Sequence, residues 1–152
     1  RNGNAWEPLA ITIASPVDLR SISASGGLVV AAGNNGERLR LENGAVTGNT
    51  KTSSYRFSDA FAADPQHYYY VGINTLDSGN PIVFFNYYNT TTSQWVSTPH
   101  SPGTANSFGY VYGIPAGNNM GELFGVGGHN RILHYAPGSG WSEMPSAPSS
   151  QR

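Results

Sequence analysis

Cysteine is absent from the 152 residues, which excludes disulfides and thiolate metal sites. Charge is scarce too: charged residues make up 11%, against a typical ~25%. Lys51 is the only lysine among eight basic residues. The formal net charge of −1, with no basic cluster, gives no electrostatic reason to expect nucleic acid or an anionic membrane surface. No apolar run approaches the ~20 residues that span a bilayer, so membrane insertion is not expected. Helical periodicity is missing as well. Gly or Pro interrupts nearly every window of ten, and no apolar 3-4 spacing survives.

What is present points to short strands and tight turns. There are 19 Gly and 10 Pro, and aromatics reach 12%, too many for a disordered chain. The length is that of one domain, enough to bury roughly 70% of its unfolded surface. The stretch from Gly121 to Pro145 is the most regular. Glu122 to Val126 reads as a strand, Gly127-Gly128-His129-Asn130 as a turn and Arg131 to Tyr135 as a second strand. Pro137-Gly138-Ser139-Gly140 then breaks the chain before Trp141.

Two looser copies of this unit precede it. In the first, strands are expected at Leu19 to Ser23, Leu28 to Ala32 and Glu37 to Leu41, and Asn43-Gly44 turns towards Ala45-Val46. In the second they are expected at Phe57 to Ala62, Tyr68 to Ile73 and Ile82 to Tyr88. The last of these is a continuous apolar and aromatic run, which suggests burial on both faces. The third unit opens with a strand at Phe108 to Ile114. A glycine ends the second strand of each unit, at Gly33, Gly72 and Gly127. Trp followed by Pro recurs at Trp6-Pro8, Trp95-Pro99 and Trp141-Pro145, and Trp95 and Trp141 lie 46 residues apart. The expectation is a single all-β domain of about three repeats, approximately 9–50, 51–99 and 100–147, each of four short antiparallel strands. That spacing is the spacing of β-propeller blades.

The run Val126, Gly127, Gly128, Ile132, Leu133, His134, Tyr135, Gly140 and Trp141 resembles the repeats of secreted β-propellers. These include sialidase-type repeats, photosystem-assembly propellers and fungal fucose-binding lectins. The resemblance covers about 25 residues here, extends to Leu28–Leu41 and is thinnest over the second unit. Pro-Gly-Ser-Gly at 137–140 replaces the Asp-containing turn of the sialidase repeats. The resemblance implies a blade architecture and no particular activity. Since propellers close with four to eight blades, three units imply half of a closed ring, completed by a second copy or by another fragment of the same protein. The alternative is a β-sandwich.

No catalytic motif stands out. His67, His100, His129 and His134 have no metal-ligand spacing, and the turn at Asp77-Ser78-Gly79-Asn80 is too short for a calcium loop. Nine carboxylates are scattered, and a glycosidase would need two of them facing each other. No cofactor is implied. The aromatics outnumber what one small core can hide. Aromatic faces beside Arg, Asn and Glu are how sugars are held, by stacking on C–H faces and planar hydrogen bonds to hydroxyls. Ligand contacts are therefore expected at Trp95, Trp141, Arg38, Arg40, Arg131, Glu143 and Tyr135. The function expected is non-enzymatic and lectin-like, at sites between blades. The alternatives are an assembly subunit and a glycan-active hydrolase. Few lysines, many Asn, Ser, Thr and Tyr, and the sequon Asn89-Thr90-Thr91 point to a secreted or cell-surface protein. The chain opens on Arg1 rather than Met, as a processed product or a piece of something larger would.

Overall fold

The computed structural model describes residues 18–77, 80–103, 108–127 and 131–145. The expected unit tail around Trp6, the turn centre 128–130 and residues 78–79 lie outside them.

Every described element of regular structure is a strand, apart from a single 3₁₀ turn at Asn34–Gly36. The first sheet contains β1 (Leu19–Ser25), β2 (Leu28–Gly33), β3 (Arg38–Glu42) and β4 (Ala45–Thr50). The second contains β5 (Tyr55–Asp64), β6 (His67–Asn74), β7 (Asn80–Asn89) and β8 (Gln94–His100). The third contains β9 (Phe108–Ala116), β10 (Asn119–Gly127), β11 (Ile132–Ala136) and β12 (Gly140–Met144). Each sheet is an antiparallel meander in which chain neighbours are hydrogen-bonded neighbours. The Asn43-Gly44 turn works as its sequence predicts: both residues take positive φ, 51° and 82°, as a tight hairpin turn requires.

The glycines that recur in the sequence have a common structural cause. Gly33 pairs with Leu19, Gly72 with Phe57 and Gly127 with Phe108, each beside a bulge that adds one residue to the first strand of its sheet. The extra residues are Arg20, Ser58 and Gly109. At Gly33 and Gly72 the first strand's backbone lies against the glycine. A Cβ at Gly33 would collide with the Asp18 carbonyl oxygen, and one at Gly72 with that of Arg56.

The second sheet lies between the other two. Alternate residues of β6 and β7 enter two different cores, because side chains on a strand alternate faces. Tyr70, Ile82 and Phe84 pack with Phe57 against Leu28, Val30 and Ala32 of the first sheet. Tyr69, Val71, Val83 and Phe85 pack against Val111, Met120, Leu123 and Leu133 of the third. The aromatic excess noted in the sequence is thus largely absorbed by two cores rather than one. Consecutive tyrosines also tie the sheets together. Tyr69 donates its hydroxyl hydrogen to the Met120 carbonyl at 2.7 Å, and Tyr70 to the Leu39 carbonyl at 2.9 Å.

The three sheets come together at their first strands, with β5 lying against both β1 and β9. Asp59 links all three. Its Oδ1 accepts from Ser21 Oγ at 2.7 Å, and its Oδ2 from the Val111 amide at 3.0 Å. Ser21 and Ser23 in turn accept from the Ala60 and Ala62 amides, at 3.1 and 3.0 Å. His67, in the second sheet, spans the other end. Its Nδ1 meets both Asp64 carboxylate oxygens at 2.8 Å and its Nε2 meets the Gly117 carbonyl at 2.8 Å.

Candidate functional site

A concavity lies between the first and second sheets. Strand alternation sends Arg38 and Arg40 of β3 out of the same face, towards the second sheet. Gly48 and Thr50 of β4 extend that wall. Opposite stand Tyr68 and Tyr70 of β6, Asn86 of β7, and Trp95, Val96 and Ser97 of β8. Together they enclose a cleft of about 250 Å³.

Arg40 and Trp95 meet across the cleft. The guanidinium carbon lies 4.7 Å from the centre of the indole ring. Arg40 is also held by its own sheet, donating to Thr47 Oγ1 at 3.1 Å and to the Thr47 carbonyl at 3.2 Å, and it reaches the Tyr68 hydroxyl at 3.4 Å. Trp95 packs at a tilt of 53° on Tyr68 with ring centres 4.9 Å apart, and its Nε1 donates to Glu42 Oε1 at 2.8 Å. Both residues are therefore fixed before any ligand arrives. Burial pushes the Tyr68 phenol above its ordinary value, opposed by the Arg40 hydrogen bond and charge, and burial pushes Tyr70 well above it. Tyr68 is thus a neutral phenol at the cleft wall, while the Tyr70 hydroxyl hydrogen is given to the Leu39 carbonyl.

Arg38 is situated differently. Its guanidinium lies 4.9 Å from the centre of the Phe84 ring and 5.6 Å from that of Phe57. One long hydrogen bond, from Nη2 to Thr52 Oγ1 at 3.4 Å, is all it makes among the described residues. Its Nε is buried with no acceptor. No described carboxylate lies within ion-pair distance of it, whereas Arg40 has Glu42 at 4.0 Å and Lys51 has Glu37 at 3.2 Å.

The remaining expected contacts form a second group on the third sheet. Tyr135 and Trp141 are cross-strand partners with ring centres 5.3 Å apart, and both pack towards the second sheet. Arg131 pairs with Glu143 at 3.5 Å. This pair is half-exposed, where an ion pair contributes about 0–1 kcal/mol. His100 lies 6.4 Å from Tyr135, and burial lowers its pKa below the ordinary imidazole value. The seven expected residues thus separate into Arg38, Arg40 and Trp95 in one place and Arg131, Tyr135, Trp141 and Glu143 in another.

The two sheet interfaces are not equivalent. The positions on β7 that correspond to Arg38 and Arg40 on β3 are filled by Val83 and Phe85, which close the interface with the third sheet as a core. Only the first interface keeps two arginines in a cleft. Sequence reasoning missed Tyr68, Tyr70, Asn86 and Ser97 as cleft walls. The one available signal was the alternation of Tyr68 and Tyr70 on the face opposite Tyr69. No family model, no curated protein and no solved structure matches the chain.

Proposed function

We propose that this protein is a non-enzymatic binding module that holds carbohydrate in the cleft between its first and second sheets. The reading is carried by the pre-set Arg40–Trp95 pair in a cleft also lined by Tyr68, Asn86 and Ser97. Fixed aromatic faces next to planar and hydroxyl hydrogen-bonding groups suit a ring with an apolar face and a polar rim. A hydrolase would need facing carboxylates. The two buried ones are engaged elsewhere, Glu37 with Lys51 and the Asp18 amide, and Asp59 with Ser21 and Val111. The sequon Asn89 ends β7 at the edge of an exposed turn, its Oδ1 accepting from the Thr91 amide at 2.9 Å, which suits a secreted or cell-surface protein. Screening against a glycan array tests the reading. Saturable binding that disappears in Trp95→Ala is expected; a folded protein that binds no glycan would overturn it.

A second reading concerns assembly and rests on a separate observation. The face of the third sheet that points away from the second carries a row of exposed apolar groups, Tyr110, Val126, Ile132 and Met144, with Ile114 also exposed, beside the Glu122–His134 pair. We propose that the three sheets are blades of a β-propeller and that another blade, from a second copy or another part of the same protein, covers this face. Face-to-face stacking of meanders whose first strands adjoin supports the blade reading. So does the apolar character of the uncovered face, which matches the two faces already buried.

A further inference from the structure

We propose that the sugar taken by the first cleft carries a carboxylate, and that Arg38 reads it. The inference rests on the carbohydrate reading above and specifies the ligand class. The two cleft arginines differ in how their charge is met. Arg40 has Glu42, Thr47, Tyr68 and the Trp95 face around it. Arg38 has two aromatic rings and one long bond to Thr52. A guanidinium has five N–H donors and is charged at any accessible pH. Stacking on Phe84 and Phe57 orients its plane but accepts none of those hydrogens. Desolvating a cation without an acceptor is unfavourable, and the buried Nε shows that this cost is present here.

A carboxylate completes the set. Its two oxygens match the planar fork of a guanidinium and add the missing negative charge. A neutral sugar hydroxyl could accept one hydrogen but would leave the charge unbalanced. In this arrangement the partly exposed Trp95, backed by the buried Tyr68, offers an aromatic face to the sugar ring, as it would for any sugar, and Arg38 separates acidic from neutral ligands. Arg38 comes from the first sheet and Trp95 from the second, so the two requirements are met by different blades.

The test uses the full chain and three matched oligosaccharides, ending in glucuronic acid, in its uncharged amide and in glucose, with affinities measured by calorimetry. The native protein is expected to favour the acid by about 10- to 100-fold, the range for one charged hydrogen-bonding partner. Arg38→Gln is expected to erase that preference while leaving weak binding of all three ligands. Because Arg38 packs on Phe57 and Phe84, thermal unfolding of the variant is measured alongside. Arg38→Lys, which keeps the charge and loses the planar fork, serves as the second variant and is expected to lose most of the preference. Equal affinity for acid and amide, or a preference that survives both substitutions, would overturn the role of Arg38 and leave the carbohydrate reading standing. Absence of binding to any of the three by folded native protein would overturn both.

Discussion

At Asp59 a single carboxylate on β5 accepts hydrogens from β1 and from β9, so it links three strands from three sheets. Replacing it with Ala would leave the Val111 amide buried without an acceptor. Hydrogen bonds to charged groups contribute roughly 1.5–3 kcal/mol, and an unsatisfied buried donor costs about 1–3 kcal/mol. Asp59→Ala is therefore expected to lower stability by about 3 kcal/mol in urea unfolding, and Asp59→Asn, which keeps one acceptor oxygen, by less. The buried tyrosines lead to a pH dependence. Burial raises Tyr69 and Tyr70 above the ordinary phenol value of about 10, and both hydroxyls donate to backbone carbonyls of other sheets. Below pH 10 these groups are protonated in folded and unfolded chain alike. Above it the unfolded chain releases protons that the folded chain keeps, so stability is full below pH 10 and falls as pH rises beyond it. Tyrosinate absorbance followed during alkaline titration should show these two residues ionising together with unfolding, not ahead of it. Neither role was legible in the sequence. Asp59 is one of nine scattered carboxylates with no local motif, and the tyrosine partners come from residues about 30 and 50 positions away.

The first three strands of each sheet were legible, because Val, Ile, Leu and aromatic residues in short runs between Gly, Asn and Pro leave few other options, whereas β4, β8 and β12 were expected only by the count of four per repeat, β4 being the polar run AVTGNT. The glycine ending each second strand was legible as a pattern but not as a cause. Its cause is a bulge on the partner strand, and nothing in a residue's own sequence neighbourhood reports the extra residue of a strand that pairs with it. The cause is testable in the second sheet. Gly72→Ala would place a methyl group against the Arg56 carbonyl oxygen, in backbone that cannot rotate away as a side chain could. The expected loss is about 3 kcal/mol, at the upper end of ordinary overpacking. Ser58 deletion, which removes the extra residue of the same bulge, should restore part of that loss in the double variant. A Gly72→Ala protein as stable as the parent in chemical denaturation would show that β5 can withdraw and that the bulge is not what requires glycine. The candidate site was legible only in part for a related reason. Arg38, Arg40 and Trp95 stood out by residue type, but which of the expected residues share a cleft depends on which sheet faces which.

For the whole molecule, the continuous apolar run from Ile82 to Tyr88 was the strongest clue to arrangement. A strand buried on both faces belongs to a sheet with neighbours on both sides, and the second sheet has them. The third sheet has only one described neighbour. Its far face carries Val126 and Ile132 as cross-strand partners, with Tyr110 beside Val126 and Met144 beside Ile132. Tyr110 is 67% exposed and Val126 45%, which is unusual for a row of apolar groups on a monomer's surface. Covering such a row removes apolar area from water at about 25 cal/mol per Å², and a stable contact needs roughly 800 Å² from each partner. A four-stranded sheet face with its bordering turns is of that order. Light scattering behind a sizing column should therefore give twice the 16.2 kDa chain mass if a second copy supplies the cover. Val126→Lys places a charge in the middle of the row, on a side chain that the fold does not bury. The variant should return the mass to that of one chain while leaving the unfolding midpoint at low protein concentration unchanged. A single-chain mass for the parent would exclude self-association as the means of cover.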